Sequence, residues 1–154
     1  PLPSTPAHAL GPDDPPQWIV QGLCYYPLSL FFRLRFGHPA WKISIDAGLS
    51  CPNVDGTLSR QGCLFCNVRS FSPSRRQDAA SRSVARQIAD GRQRLIRRYG
   101  PRRAGVLIAY FQPATNTHGP IDRLRAVWRE ALQQPGVVGL AVGTRPDCAG
   151  EAVL

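Results

Sequence analysis

Two uninterrupted apolar runs, Val106–Phe111 and Val137–Val142, each follow a segment whose apolar residues recur at helical spacing. That alternation constrains the fold more than any other feature of the chain. Over residues 78–99, Val84, Ile88, Leu95 and Tyr99 share one helical face, and Arg82, Arg86, Gln93 and Arg97 share another. Gly100 and Pro101 stop this helix. A second helix is expected with Pro120 at its first position and Ile121, Leu124, Trp128 and Leu132 as its apolar stripe, ended by Pro135 and Gly136. Upstream, residues 41–47 alternate, with Trp41, Ile43 and Ile45 on one side and Lys42, Ser44 and Asp46 on the other, as in a first strand. Continuous apolar strands separated by amphipathic helices imply an α/β fold with a parallel sheet, right-handed crossovers and a buried third strand at Val137–Val142. Ligands of such sheets gather at the carboxyl ends of the strands. The polar segments 48–78, 112–118 and 143–148 each follow a strand, so one rim should carry all three. The first is too long for a plain connection and is expected to be functional.

The remaining segments add less. Residues 1–17 hold six prolines and no periodicity, and read as a disordered lead-in before a domain over 18–154. Leu28, Phe31, Phe32 and Phe36 suit a short helix begun near Pro27 and ended by Gly37, His38 and Pro39. Tyr25 and Tyr26 can stack on a base, but hydrophobic packing beneath the sheet is the plainer expectation. The net charge is +9, nearly all of it arginine, since Lys42 is the single lysine. Eleven arginines lie from Arg69 to Arg103. Such a stretch can bind phosphate backbones, although a solvated helix face is the plainer reading. No apolar run approaches the ~18–20 residues of a membrane span, and residues 1–17 lack the pattern of a secretory leader, so a cytoplasmic protein is expected. The chain has no Met and stops as a new apolar pattern begins, which suggests a fragment.

The cysteines are Cys24, Cys51, Cys63, Cys66 and Cys148. An odd number, with three bunched on the first rim segment, is a poor disulfide framework. Thiolates are the usual ligands of iron–sulfur clusters and common ligands of zinc. Cys63 and Cys66 can place two sulfurs at one centre, Cys51 supplies a third, and Gly56 and Gly62 allow the sharp path between them. A structural zinc site wants a fourth ligand, for which Cys24, His38, His118 and Cys148 are candidates, each more simply a buried or loop residue. A cubane cluster on three thiolates keeps one iron open. Spacing alone leaves cluster, zinc and redox dithiol all standing.

The stretch Lys42–Asn53, together with Cys63-Leu64-Phe65-Cys66, resembles the cluster loop of radical S-adenosylmethionine proteins, and in particular a bacterial branch of unassigned substrate related to the Elongator catalytic subunit. That branch shares the widened gap between the first two cysteines, where most of the superfamily has three residues. Tyr110-Phe111-Gln112 with Thr115-Asn116-Thr117, and Gly143–Asp147, resemble the branch's second and third loops. The resemblance implies the first half of a partial parallel (β/α) barrel. It implies a 4Fe-4S cluster on Cys51, Cys63 and Cys66, and an enzyme that reductively cleaves S-adenosylmethionine to a 5′-deoxyadenosyl radical for hydrogen abstraction. Phe65 would lie near the adenine. Gln112 and Asn116 would reach ribose or amino groups, or else serve as turn residues. Arg145 would meet the methionine carboxylate, or else pair with Asp147. A flavodoxin- or ferredoxin-like electron donor and transfer RNA are the partners implied. The alternative is a zinc-stabilised nucleic-acid-binding module using the Arg69–Arg103 stretch.

Overall fold

A computed structural model describes residues 22–67, 83–101 and 105–153, together with Ile19 and Ser70. Its elements are α1 (Leu28–Phe36), β1 (Ala40–Ile45), a short helical turn α2 (Pro52–Asp55), α3 (Val84–Tyr99), β2 (Val106–Phe111), α4 (Ile121–Leu132), β3 (Val137–Val142) and a 3-10 turn at Pro146–Cys148. The expected lead-in over 1–17 and the first residues of the helix expected from 78 lie outside the described residues.

The three strands form one parallel sheet in the order β1-β2-β3. Alternation along β1 sends Ile43 and Ile45 to the face that also carries Leu107, Ala109 and Phe111 of β2. Val84 and Ile88 of α3 and Ala131 of α4 close over these residues, and Phe111 and Ile45 are fully buried. Gly91 allows α3 to lie close on β1, for a Cβ there would stand 2.5 Å from Cγ2 of Ile43. The Ser83 hydroxyl caps α3 by accepting from the Arg86 N–H at 3.2 Å. The Glu130 carboxylate of α4 accepts from the Ala85 N–H at 2.9 Å, so one helix finishes the capping of the other. The expected α/β architecture with parallel pairing is what the chain adopts.

Four expectations need correction. Every residue of β3 is half-buried rather than buried, because only β2 flanks it among the described strands. Leu132 is half exposed, and Leu124 and Ala131 do the burying for α4. Pro120 is the residue before α4 rather than its first. Tyr25 and Tyr26 do not pack beneath the sheet: they are 68% and 48% exposed, and Tyr26 meets Phe31 edge-on on the outer side of α1. α1 buries only Leu30, so it offers the tyrosines no interior. No helix among the described residues is long and apolar enough to cross a membrane.

Candidate metal centre

Parallel pairing brings the carboxyl ends of all three strands to one rim, and backbone hydrogen bonds join the loops there. The Gln112 N–H donates to the Ile45 carbonyl, the Thr115 N–H to Ser50 (3.1 Å) and the Asn116 N–H to Gly143 (3.0 Å). The expected convergence of the three polar segments is therefore observed. The Gln87 side chain of α3 clasps the end of β1, accepting from the Asp46 N–H and donating to the Asp46 carbonyl, both at 2.8 Å. Arg123 of α4 donates to the Gly48 carbonyl at 2.9 Å.

The path from Cys51 to Cys63 is folded on itself. Cys51 precedes α2, and its carbonyl accepts from the N–H groups of Val54 and Asp55. Pro52 then fits the first helical position. Gly56 (φ 98°) and Gly62 (φ 73°) take the left-handed turns that other residues resist. The N–H groups of Leu58 and Ser59 return to the Pro52 carbonyl, and that of Gly62 to Asn53 at 2.8 Å. The Cys66 N–H donates to the Cys63 carbonyl at 3.0 Å, closing the tight turn expected of this pair.

Cys51, Cys63 and Cys66 consequently line one cavity of about 400 Å³, with Asn53, Gln112 and Arg145. All three thiols are free. No three His, Cys, Asp or Glu side chains among the described residues converge to hold a single metal ion. The donor chemistry still suits a thiophilic centre, because three thiols and no carboxylate line the cavity. A cluster asks each thiolate to bind its own iron, so its ligands surround a volume rather than a point.

The other expected residues divide. Phe65 lines the same cavity and is 91% exposed. Gln112 accepts at Oε1 from the Ser44 hydroxyl (3.1 Å), which orients its amide. Arg145 grips Asp147 through Nε (2.9 Å) and Nη2 (2.8 Å). This pair raises the Arg145 pKa and lowers that of Asp147. It engages two of the five guanidinium donors. Asn116 is fully buried and does not line the cavity. Its Nδ2 reaches the carbonyls of Phe111, Pro113 and Gly143 at 2.9–3.1 Å, so it acts as the turn residue that ties β2 to β3. Its Oδ1 finds no partner among the described residues.

Of the candidate fourth ligands, none lines the cavity. Cys24 and His38 are exposed, and His38 precedes the opposite end of β1. Cys148 is half-buried, and desolvation raises its thiol pKa. His118 instead reaches the cysteine loop, with Nε2 2.8 Å from Oδ2 of Asp55. The Thr57 hydroxyl and N–H both donate to Asp55 and, helped by His118, hold its carboxyl far below the usual range.

Asn53, Asp55, Gln87 and Arg123 were not legible as site residues. Asn53 and Asp55 carried a signal in the run Cys51–Gly56, where an Asx residue before a glycine marks a turn. Gln87 and Arg123 carried none, because only the sheet brings them to the rim. Of the arginine stretch, Arg86, Arg92, Arg94, Arg97 and Arg98 are exposed on α3, and Arg86 pairs with Asp90 at 3.2 Å. Arg69, Arg75, Arg76, Arg82, Arg102 and Arg103 lie outside the described residues.

The chain is similar to proteins from distant organisms. It is 43% identical over 120 residues to protein YhcC of Escherichia coli K12, and 36% identical over 133 residues to the uncharacterized protein YtqA of Bacillus subtilis. It is 29% identical over 132 residues to the uncharacterized protein MJ0486 of Methanocaldococcus jannaschii. These matches cover 78%, 84% and 83% of the chain but only 36%, 39% and 37% of the relatives, so the chain spans little more than a third of their length. No protein-family profile matches the chain, and no solved structure does.

Proposed function

We propose that this chain holds the cluster- and cofactor-binding part of a radical S-adenosylmethionine enzyme, on the first strands of a partial parallel barrel. The observation that carries this reading is the placement of three free thiols around one cavity at the carboxyl rim of a parallel sheet. Cys51, Cys63 and Cys66 would hold a 4Fe-4S cluster, which when bound supplies the electron that breaks a carbon–sulfur bond of S-adenosylmethionine.

The surrounding residues are suited to bind and orient that cofactor. Phe65 offers an apolar ring open to the cavity for stacking on a base. Gln112, held by Ser44, presents its amide for polar groups of the cofactor. Arg145 keeps donors beyond those given to Asp147, enough for a second carboxylate. Asn116 enters as a support for Gln112 and Arg145 rather than as a contact, since it pins the two loops that carry them. The reading asks for a one-electron donor of the flavodoxin or ferredoxin kind, and for a substrate pocket completed by the rest of a longer protein; transfer RNA is the substrate class proposed.

Anaerobic reconstitution with iron and sulfide tests this directly. A brown protein carrying about four irons, as a single cubane requires, is the expected result, with Cys63→Ala losing iron and colour. Reduction with dithionite in the presence of S-adenosylmethionine should release 5′-deoxyadenosine from this chain or from a longer version of it. Colourless protein with stoichiometric zinc and salt-dependent RNA binding would replace this reading with the zinc module.

A further inference from the structure

Asn53 is the second residue after Cys51, in the turn α2, and it is fixed at both of its polar ends. Its backbone carbonyl accepts from the Gly62 N–H at 2.8 Å, across the neck of the excursion that separates Cys51 from Cys63. Its side-chain Nδ2 donates to Sγ of Cys63 at 3.0 Å. Both residues line the same cavity. Among the other amides near the rim, Gln87 and Asn116 donate to backbone carbonyls, and Gln112 is oriented by the Ser44 hydroxyl at its Oε1. The backbone bond would survive replacement of the side chain, so the Nδ2–Sγ bond is separable from the fold of the loop.

An N–H donor on a cysteine sulfur has a definite electrical consequence. It stabilises negative charge on the sulfur, and a metal centre bound through that sulfur carries more negative charge once reduced. The bond therefore favours the reduced form and raises the reduction potential, as hydrogen bonds to the sulfurs of iron–sulfur centres do. Geometry decides which ligand is tuned, and here it is Cys63.

We propose that Asn53 sets the redox poise of the centre by donating a hydrogen bond to the Cys63 sulfur. It is a positioning residue that acts through the ligand and touches neither cofactor nor substrate in this role. The inference rests on the cluster reading above. The couple it concerns is the gain of one electron by the cluster from an external reductant, with dithionite supplying it in the test.

The experiment is a redox titration of the anaerobically reconstituted chain, followed by the paramagnetic resonance signal of the reduced centre, with iron content measured in parallel. Asn53→Leu keeps the approximate volume and removes the donor. It should retain iron and disfavour reduction about tenfold, a midpoint about 59 mV more negative for a one-electron couple. Asn53→Asp replaces the donor with a charged acceptor and should move the midpoint further in the same direction. Asn53→Gln restores an N–H and should recover part of the shift. Loss of iron from Asn53→Leu with retention in Asn53→Gln would also support the donor role. Midpoints of Asn53→Leu and Asn53→Asp equal to that of the unaltered chain, at equal iron content, would overturn the proposal while leaving the cluster reading intact. Loss of iron from all three variants would overturn it too, making Asn53 a residue of loop folding. An unaltered chain that binds no iron would instead remove the cluster reading itself.

Discussion

The helix-packed face of the sheet and its carboxyl rim are a few residues apart along the same strands, yet they are held by different forces. Ile43, Ile45, Leu107, Ala109 and Phe111 are buried against α3 and α4 by area alone. One step later, from Asp46, Gln112 and Gly143 onward, the chain is held by bonds to named atoms: Gln87 on Asp46, Arg123 on Gly48, Asn116 on three carbonyls and His118 on Asp55. The first kind of hold is nearly indifferent to which apolar residue supplies it, provided volume is kept. The second kind depends on atom identity, since a donor lost from a buried carbonyl is not replaced by neighbouring surface. The difference shows how one short chain can be tolerant in its core and exacting at the place where chemistry is proposed.

The sharpest test of that contrast removes one group from each region. Phe111→Ala should cost about 3–5 kcal/mol of stability, as expected for a large aromatic side chain deleted from a packed interior. Chemical denaturation measures this, and the metal-free chain is the proper sample. Cys63→Ala in the same assay should leave metal-free stability little changed while abolishing iron uptake. A Cys63→Ala chain that unfolds as easily as Phe111→Ala would show that the rim is part of the core and break the comparison.

Smaller effects sharpen it. Gly91→Ala should destabilise by about 1–3 kcal/mol, since the added methyl must displace Ile43 in a well-packed layer. Asn116→Leu should cost about as much, roughly 1–3 kcal/mol, for the opposite reason: volume is kept, but carbonyls of Phe111, Pro113 and Gly143 lose their shared donor. The two are told apart by a second substitution. Ile43→Ala, which removes the Cγ2 that the added methyl meets, should combine with Gly91→Ala at less than the sum of the two costs, and should add fully to Asn116→Leu.

The same contrast explains what the sequence disclosed. β2 could be read to the residue, because a six-residue apolar run between two amphipathic helices has few other fates. β3 was placed equally well, yet its burial was misjudged, because apolarity fixes what a strand prefers and only its neighbours fix what it receives. Type and spacing set the three cysteines apart, and the fold brings them to one cavity. Asn53 and His118 lay in plain view, but the role of Asn53 depends on how the cysteine loop folds back over ten residues to Cys63, and that of His118 on where two segments 63 residues apart meet. Asn116 was read as a residue of the cofactor site or of the turn, and burial decides for the turn.

The least of the predicted effects concerns that pair and has a sign that can be worked out. The folded state holds the Asp55 carboxyl below its unfolded value of about 3.9, so its contribution to stability is complete above roughly pH 4 and is lost as acid protonates it. The main cause is the Thr57 hydroxyl, then the Thr57 N–H, with His118 behind them. Thr57→Val should therefore raise the Asp55 pKa more than His118→Gln does, and Asp55→Asn should flatten the acid limb of the unfolding curve. A carboxyl-resolved nuclear magnetic resonance titration reads both shifts. The reverse order, with His118→Gln the larger, would mean that the cysteine excursion is fastened to the second loop by charge, rather than being braced by its own turn and only resting against His118.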